Sequence, residues 1–269
     1  MTYPPLGDML AALRETTPLV HCMTNYVAMN STANLLLATG ASPAMLHAPE
    51  EVAEFTALAG ALSINIGTLS TPWAESMQLA ARTANASQTP WVLDPVAVGA
   101  TAFRQQVCQA LLPHRPSVIR ANASEVMALT GLASQGRGVD ATASTDDAAH
   151  AAISLAQRQH CIVAMTGETD FLTDGTHHFR LTGGHPMMPR VTTLGCGLSA
   201  LVAGFVAANR EHPLTATLAA LACFSIAGHR AGQRADGPGS FQVALLDALY
   251  QLTPDDLSSL SQVEALHAV

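Results

Sequence analysis

Short apolar runs alternate with longer amphipathic ones from Pro18 to Thr166, and this alternation restricts the fold more than any other feature of the chain. Pro18–Cys22, Ser42–Met45, Ala61–Ile66, Trp91–Leu93, Ser117–Arg120 and Cys161–Met165 are too short for stable helices and read as strands. Helices are expected between them, near 6–14, 31–39, 49–58, 71–86, 102–111, from Asn122 or Ser124 onward, and 145–159. Pro49 and Pro72 sit at first-turn positions, and Gly40 stops the helix before it. Strands this apolar must be buried on both faces, which calls for a mostly parallel sheet with helices on each side. The crossovers are then right-handed. The expectation is an α/β fold of three layers, α-β-α, in one domain spanning 1–269, because no linker or charge block divides the chain.

Past Thr166 the pattern changes. Phe171–Thr173 and His177–Phe179 flank Asp174-Gly175, the signal of a hairpin with a type I′ turn. Gly131 to Asp140 reads as a glycine-rich loop. After Gly195-Cys196-Gly197 the chain is expected to be helical almost to its end, over 198–208, 214–234 and 241–252.

Only 12% of the residues are charged against 49% hydrophobic, so more surface must be buried than one subunit provides, and an obligate oligomer is expected. The net charge of −8 argues against nucleic acid or an anionic membrane as partner. Five cysteines, at 22, 108, 161, 196 and 223, contain no C-x-x-C pair, which fits neither a disulfide framework nor a zinc knuckle and points to the reducing cytoplasm. The first ten residues lack the pattern of a signal peptide. The longest nearly unbroken apolar run, 196–208, is too short to span a bilayer.

Ligands in parallel sheets bind at the carboxyl ends of strands. Asn25, Met45, Gly67, Asp94, Arg120 and Thr166 stand at or just past those ends and should share one crevice with Cys196. Gly195 and Gly197 flank Cys196 before an apolar helix, so the helix start can offer free N–H groups to a phosphoryl group. In that field the thiol is expected below its free pKa of about 8.5, able to accept a proton; the bland alternative is an inert cysteine in a buried turn. Asp94 reads as a carboxylate delivered to the ligand edge or as a turn cap. Asn122-Ala123-Ser124-Glu125 mimics a capping box, and its glutamate can also serve a magnesium ion bridging phosphates. Arg120 is either a phosphate clamp or a snorkelling arginine at the strand's end. His177 and His178 should face opposite ways, which removes them as a metal pair.

Six blocks together resemble one family. His21-Cys22-Met23-Thr24-Asn25, Gly40-Ala41-Ser42-Pro43-Ala44-Met45, Asn65-Ile66-Gly67-Thr68-Leu69, Leu93-Asp94-Pro95-Val96-Ala97-Val98-Gly99-Ala100, Arg120-Ala121-Asn122-Ala123-Ser124-Glu125 and Gly237-Pro238-Gly239-Ser240-Phe241 look like hydroxyethylthiazole kinase, in this order and across nearly the whole chain. The resemblance implies a ribokinase-like fold without a separate lid domain. It also implies ATP and magnesium as co-substrate and cofactor, and phosphorylation of the primary alcohol of 4-methyl-5-(2-hydroxyethyl)thiazole in thiamine synthesis and salvage. A homotrimer with sites at subunit interfaces would supply the cover that a lid gives elsewhere.

Residue by residue, the resemblance places Met45 in the thiazole pocket, Arg120 and Thr166 on ATP, and Asp94 and Glu125 on magnesium. Asn25 and Gly67 would line the pocket. Cys196 takes the position of the base that most ribokinase-like kinases supply as aspartate. The family usually reads Gly-Thr-Gly-Cys at that turn, where this chain has Thr193-Leu194-Gly195-Cys196. The family's substrate contact would fall on the Thr193 backbone, with Gly195 beside it. If that first position needs positive φ, threonine there costs on the order of 1–3 kcal/mol. Two other readings stay open at this level: a ribokinase-like kinase of another small alcohol, and an oligomeric ATP-binding protein without turnover.

Overall fold

The computed structural model describes residues 3–131 and 145–266. In chain order its elements are α1 (Leu6–Thr16), β1 (Leu19–Met23), α2 (Met29–Thr39), β2 (Ser42–Ala44), α3 (Val52–Leu58), β3 (Ala61–Asn65), α4 (Thr71–Ala86), β4 (Trp91–Asp94), α5 (Ala102–Leu111), β5 (Val118–Asn122), α6 (Ala123–Thr130) and α7 (Thr145–Gln159). There follow β6 (Ile162–Thr166), β7 (Thr169–Thr173), β8 (His178–Thr182), α8 (Leu194–Ala208), α9 (Pro213–Gly232), α10 (Pro238–Gln251), α11 (Pro254–Leu260) and β9 (Gln262–Leu266). The βα rhythm of the sequence is the rhythm of the fold.

All nine described strands join one sheet in the order β2-β1-β3-β4-β5-β6-β7-β8-β9. β1 to β6 are parallel, and β7, β8 and β9 continue the sheet antiparallel. Alternate residues of each strand feed two separate cores. Val20, Cys22, Val92, Val118 and Ala164 face a cluster built with α1, α2, α8, α9 and α10. Leu62, Ile64, Leu93, Ile119 and Val163 face another built with α4 to α7. This is the expected three-layer α-β-α arrangement, and no described strand leaves the sheet to form a lid.

Local chemistry sets the helix starts that lie near the ligand edge. The Ser70 hydroxyl accepts from Trp73 N–H at 3.4 Å with Pro72 in the first turn of α4, and Thr101 caps α5 in the same way. Asn122 and Glu125 form the full capping box of α6.

Several expectations change. α8 begins at Leu194, so Gly195, Cys196 and Gly197 lie in its first helical turn instead of before it. The chain is not helical to its end: β9 pairs with β8, and the alternation of polar and apolar residues over 262–265 has the period of a strand. The connection from β7 to β8 is no type I′ turn, because only Gly175 takes positive φ and four residues separate the strands. Asp174 organises it instead, its Oδ1 accepting from Thr176 N–H and His177 N–H. Beyond Gly131 itself, the glycine-rich loop to Asp140 lies outside the described residues. Among the described residues one helix, α9, is long and apolar enough to cross a bilayer by length and composition, but most of it is buried inside this fold.

Candidate active site

β3 and β4 end in register, with Asn65 beside Asp94. This puts two polar side chains at the carboxyl edge of an otherwise apolar sheet, and both are almost fully buried. Asp94 Oδ2 accepts from Asn65 Nδ2 at 2.7 Å and from the Ser199 hydroxyl at 2.8 Å, and lies 3.7 Å from Arg120 Nη1. Its other oxygen, Oδ1, is buried without a partner. The Asp94 carboxyl is raised to about 6, because burial, helped by the nearby Glu125 charge, outweighs the Arg120 charge and the hydrogen bonds from Ser199 and Asn65.

From Asp94 a chain of side-chain amides runs to the thiol. Asn65 Oδ1 accepts from Gly67 N–H and from Asn25 Nδ2, each at 2.9 Å. Asn25 Nδ2 also donates to Cys196 Sγ at 3.3 Å, while Asn25 Oδ1 accepts from Ala28 N–H at 3.0 Å. The amide orientations are therefore fixed from both ends, and Cys196 receives an N–H donor. Gly67 is glycine because a Cβ there would stand 2.7 Å from the Asn25 amide.

The helix start of α8 completes this side of the cleft. Gly195 leaves room for the Arg120 guanidinium, whose nitrogens would lie 2.8 Å from a Cβ at that position. Arg120 Nη2 donates to Thr166 Oγ1 at 2.6 Å, which joins β5 to the end of β6. Arg120 is not the last residue of its strand, as β5 runs two residues further to Asn122. Its Nε is buried without a partner.

The thiol itself departs from expectation. Burial and the Asp94 charge raise the Cys196 pKa above its ordinary value, outweighing the hydrogen bonds from Asn25 and Asn65 and the Arg120 charge. A helix N-terminus favours thiolate. Here desolvation and a neighbouring carboxylate are stronger.

Glu125 keeps its capping role and adds another. Oε2 accepts from Asn122 N–H and Oε1 from Ala97 N–H, each at 2.9 Å, so one carboxylate ties the start of α6 to the turn after Asp94. Met45 follows β2 and packs against the core beneath α2. Two histidines hold its segment: His21 Nε2 binds Leu46 O at 2.9 Å, and His47 Nε2 binds Thr24 O at 3.0 Å. Asn25, Gly67, Asp94, Arg120, Thr166, Gly195 and Cys196 thus form one connected network. Thr193 is the N-cap of its helix, Glu125 ties the turn after Asp94 to the start of α6, and Met45 is not joined to the network by any described contact, its segment being tied to Thr24 through His47.

The sequence reading missed three contributors. Asn65 and Ser199 hold Asp94, and Arg104 grips the carbonyls of Ile66 and Val96, at 2.6 and 2.8 Å, and that of Gly67. Ser199 had a signal, since it stands three residues after Cys196 on the same helix face. Asn65 had one too, as a polar residue closing an apolar strand. Arg104 had none.

The family model of the hydroxyethylthiazole kinases matches residues 10–255. The chain belongs to the hydroxyethylthiazole kinase family. A hydroxyethylthiazole kinase of Rhizobium rhizogenes is 54% identical over 260 residues, covering 97% of each chain. The structure of the hydroxyethylthiazole kinase protein from Pyrococcus horikoshii OT3 superimposes with TM-score 0.90 at 40% identity, over 97% of this chain and 99% of that one. A ribokinase-like superfamily protein of Enterococcus faecalis shares the fold at TM-score 0.64 and 12% identity, over 92% and 95% of the two chains.

Proposed function

We propose how this cleft performs the reaction that membership of the family brings: phosphorylation by ATP of the primary alcohol of 4-methyl-5-(2-hydroxyethyl)thiazole, a step of thiamine biosynthesis. The observation that carries the assignment of roles is the unbroken hydrogen-bonded path from Asp94 through Asn65 and Asn25 to Cys196, set against the N-terminus of α8. Phosphoryl transfer of this kind rests on positioning and charge neutralisation, with little covalent work for the protein.

Arg120 and Thr166, already joined at 2.6 Å, bind the phosphates of ATP. The N–H groups of Gly195 and Cys196, which precede the first bond of α8 from Gly197 N–H to Thr193 O and so have no acceptor within the helix, receive the phosphoryl group in transfer. Asn25, Gly67, Met45 and the Thr193 backbone form the wall on which the thiazole alcohol sits. Cys196 Sγ accepts the proton of that alcohol.

A magnesium ion fits this donor set. Asp94 Oδ1 is a hard, buried acceptor without a partner, and Glu125 retains a lone pair on each oxygen after its two backbone contacts. Bound there, magnesium would neutralise phosphate charge. The chain acts as one kinase domain in the cytoplasm.

The assembly is a homotrimer with each site at a subunit junction. Tyr26 and Val27, next to Asn25, expose 66% and 61% of their surface, and the Tyr26 ring lies 4.5 Å from that of Trp73, which stacks on His47. So large an apolar surface at the mouth of a cleft with no lid is the face a neighbouring subunit covers.

A coupled assay of ADP release over a panel of small alcohols tests the reading. Thiazole-dependent release is expected. Release with another alcohol and not with the thiazole would overturn the substrate assignment.

A further inference from the structure

Thr193 is where backbone and residue type are most at odds. It is β-branched and sits at φ 72°, a region such residues rarely enter. Thr17, Gln88, Arg115 and His160 also have positive φ, but each follows a helical segment, where a left-handed cap is routine, and Ala97, at φ 53°, is an unbranched residue in the turn after β4. Thr193 precedes one. An N-cap normally has extended dihedrals and a side chain turned back to its own helix, and Thr193 has neither.

Its hydroxyl goes elsewhere. Thr193 Oγ1 lies 2.6 Å from Ser31 Oγ, on the first turn of α2, 162 residues away in sequence. Ser31 Oγ donates to Ala28 O at 3.1 Å, so the Thr193 hydroxyl is the donor between them. Ala28 N–H is the group that Asn25 Oδ1 accepts, and Asn25 Nδ2 is the group that reaches Cys196. The contacts close a ring. It runs from Thr193 to Ser31, Ala28, Asn25 and Cys196, and returns to Thr193 through the first turn of α8, where Gly197 N–H binds Thr193 O at 2.9 Å. A strained residue persists only where its surroundings over-determine it, and this ring does so.

We infer that Ser31 and Thr193 are a positioning pair for the transfer step, their hydroxyl contact locking the turn that carries Asn25 to the helix start that carries Gly195 and Cys196. The inference rests on the roles proposed above for those three residues. Neither hydroxyl reacts. The pair fixes the distance between the alcohol side and the phosphoryl side of the cleft, and small misplacements between reacting groups are costly.

The test compares Ser31→Ala, Thr193→Val, their combination and Ser31→Thr with the parent. Thr193→Val keeps shape and removes the hydroxyl. Each single variant should lose on the order of tenfold in kcat, the worth of one hydrogen bond, with KM for ATP held within about twofold. The double variant should lose no more than either single one, because both break the same contact. Ser31→Thr restores a hydroxyl and should recover most of the loss. A purely structural contact would lower Tm and leave kcat intact, and independent roles would multiply to about a hundredfold; either result overturns the inference.

A second readout does not depend on turnover. Cys196 is the one described cysteine that is not buried, so iodoacetamide reports on it in the native protein. Opening the ring should raise its alkylation rate severalfold in Ser31→Ala and in Thr193→Val, and an unchanged rate in both sinks the pair. If the parent releases no ADP with the thiazole while alkylation responds as expected, the substrate reading fails and the ring stands.

Discussion

The raised pKa of Cys196 makes the proposed base measurable, because a protonated thiol cannot accept the alcohol's proton. Burial and the Asp94 charge hold it above its ordinary value, so near neutral pH the thiol of the free enzyme is almost wholly protonated. If the thiolate is the base, kcat/KM, which reports groups of the free enzyme, should rise about tenfold per pH unit between pH 7 and 9. Asp94 adds a second limb. Its carboxyl titrates near 6 and must be ionised to serve a cation, so below that pH the slope should approach two. Both signs agree: each group works deprotonated, and activity falls with acid. The perturbation is Cys196→Ala, which keeps the backbone N–H groups of α8 and should cost about 10²–10⁴-fold at its worst. Substrate ionisation affects both proteins alike, so the ratio of parent to variant isolates the thiol. That ratio should climb with unit slope from pH 7 to 9 and level off above the thiol's pKa. Cys196→Asp, ionised throughout this range, should retain substantial activity and show no such climb. A flat ratio, or an alanine variant as fast as the parent, would remove the thiol as base and assign the proton to phosphate or water.

Glu125→Gln should reduce stability by about 1–3 kcal/mol in urea unfolding, since its amide can no longer accept from both Ala97 and Asn122, and should lower turnover more than ATP affinity; intact turnover would leave only the cap and brace. His21 is fully buried and its pKa is lowered from 6.5 to about 4, mainly by burial. Its unfolded form takes up a proton first, so about 3 kcal/mol of stability should vanish as pH falls from 6.5 to 4, and His21→Gln should show a shallower loss in urea midpoints over that range. Sedimentation should find three chains together, and Tyr26→Asp, which places a charge on the exposed ring cluster, should give inactive monomers; a fully active monomer would refute the shared site.

The architecture was legible because the parallel strands other than β2 are short, largely apolar runs ending in a polar or turn residue, and buried parallel strands offer few other arrangements. The ranges read for α4, α5 and α7 coincide with the helices of the fold, and Ser70 with Pro72 marks the start of α4 as Thr101 marks that of α5. β9 escaped because one period of alternation after a long helical stretch is a weak signal, and it is an edge strand with little burial to strengthen it. The type I′ turn failed for a different reason: an aspartate side chain satisfied the backbone of a longer loop, something no dipeptide rule contains.

At the site, the sequence reading anticipated that Asn25, Gly67, Asp94, Arg120, Thr166 and Cys196 meet at one edge of the sheet, and it misjudged the electrostatics of the thiol. Reading Gly195-Cys196-Gly197 in one dimension shows the helix start and its dipole, which lowers a thiol pKa. It cannot show that Asp94, a hundred residues earlier, comes to the same edge, or that the sheet beneath removes most of the water. Those two facts reverse the sign. The same neighbours explain why the amides matter: in a cleft hostile to thiolate, Asn25 and Asn65 are neutral donors to the sulfur, and the N–H of Asn25, oriented by Asn65 and by Ala28, reaches it at 3.3 Å. Thr193 follows the same logic. Its cost was foreseeable from residue type, but the hydroxyl that offsets it lies on α2. A residue that strains the backbone where it stands can order two turns at once, provided its side chain finds the partner that only the folded chain supplies.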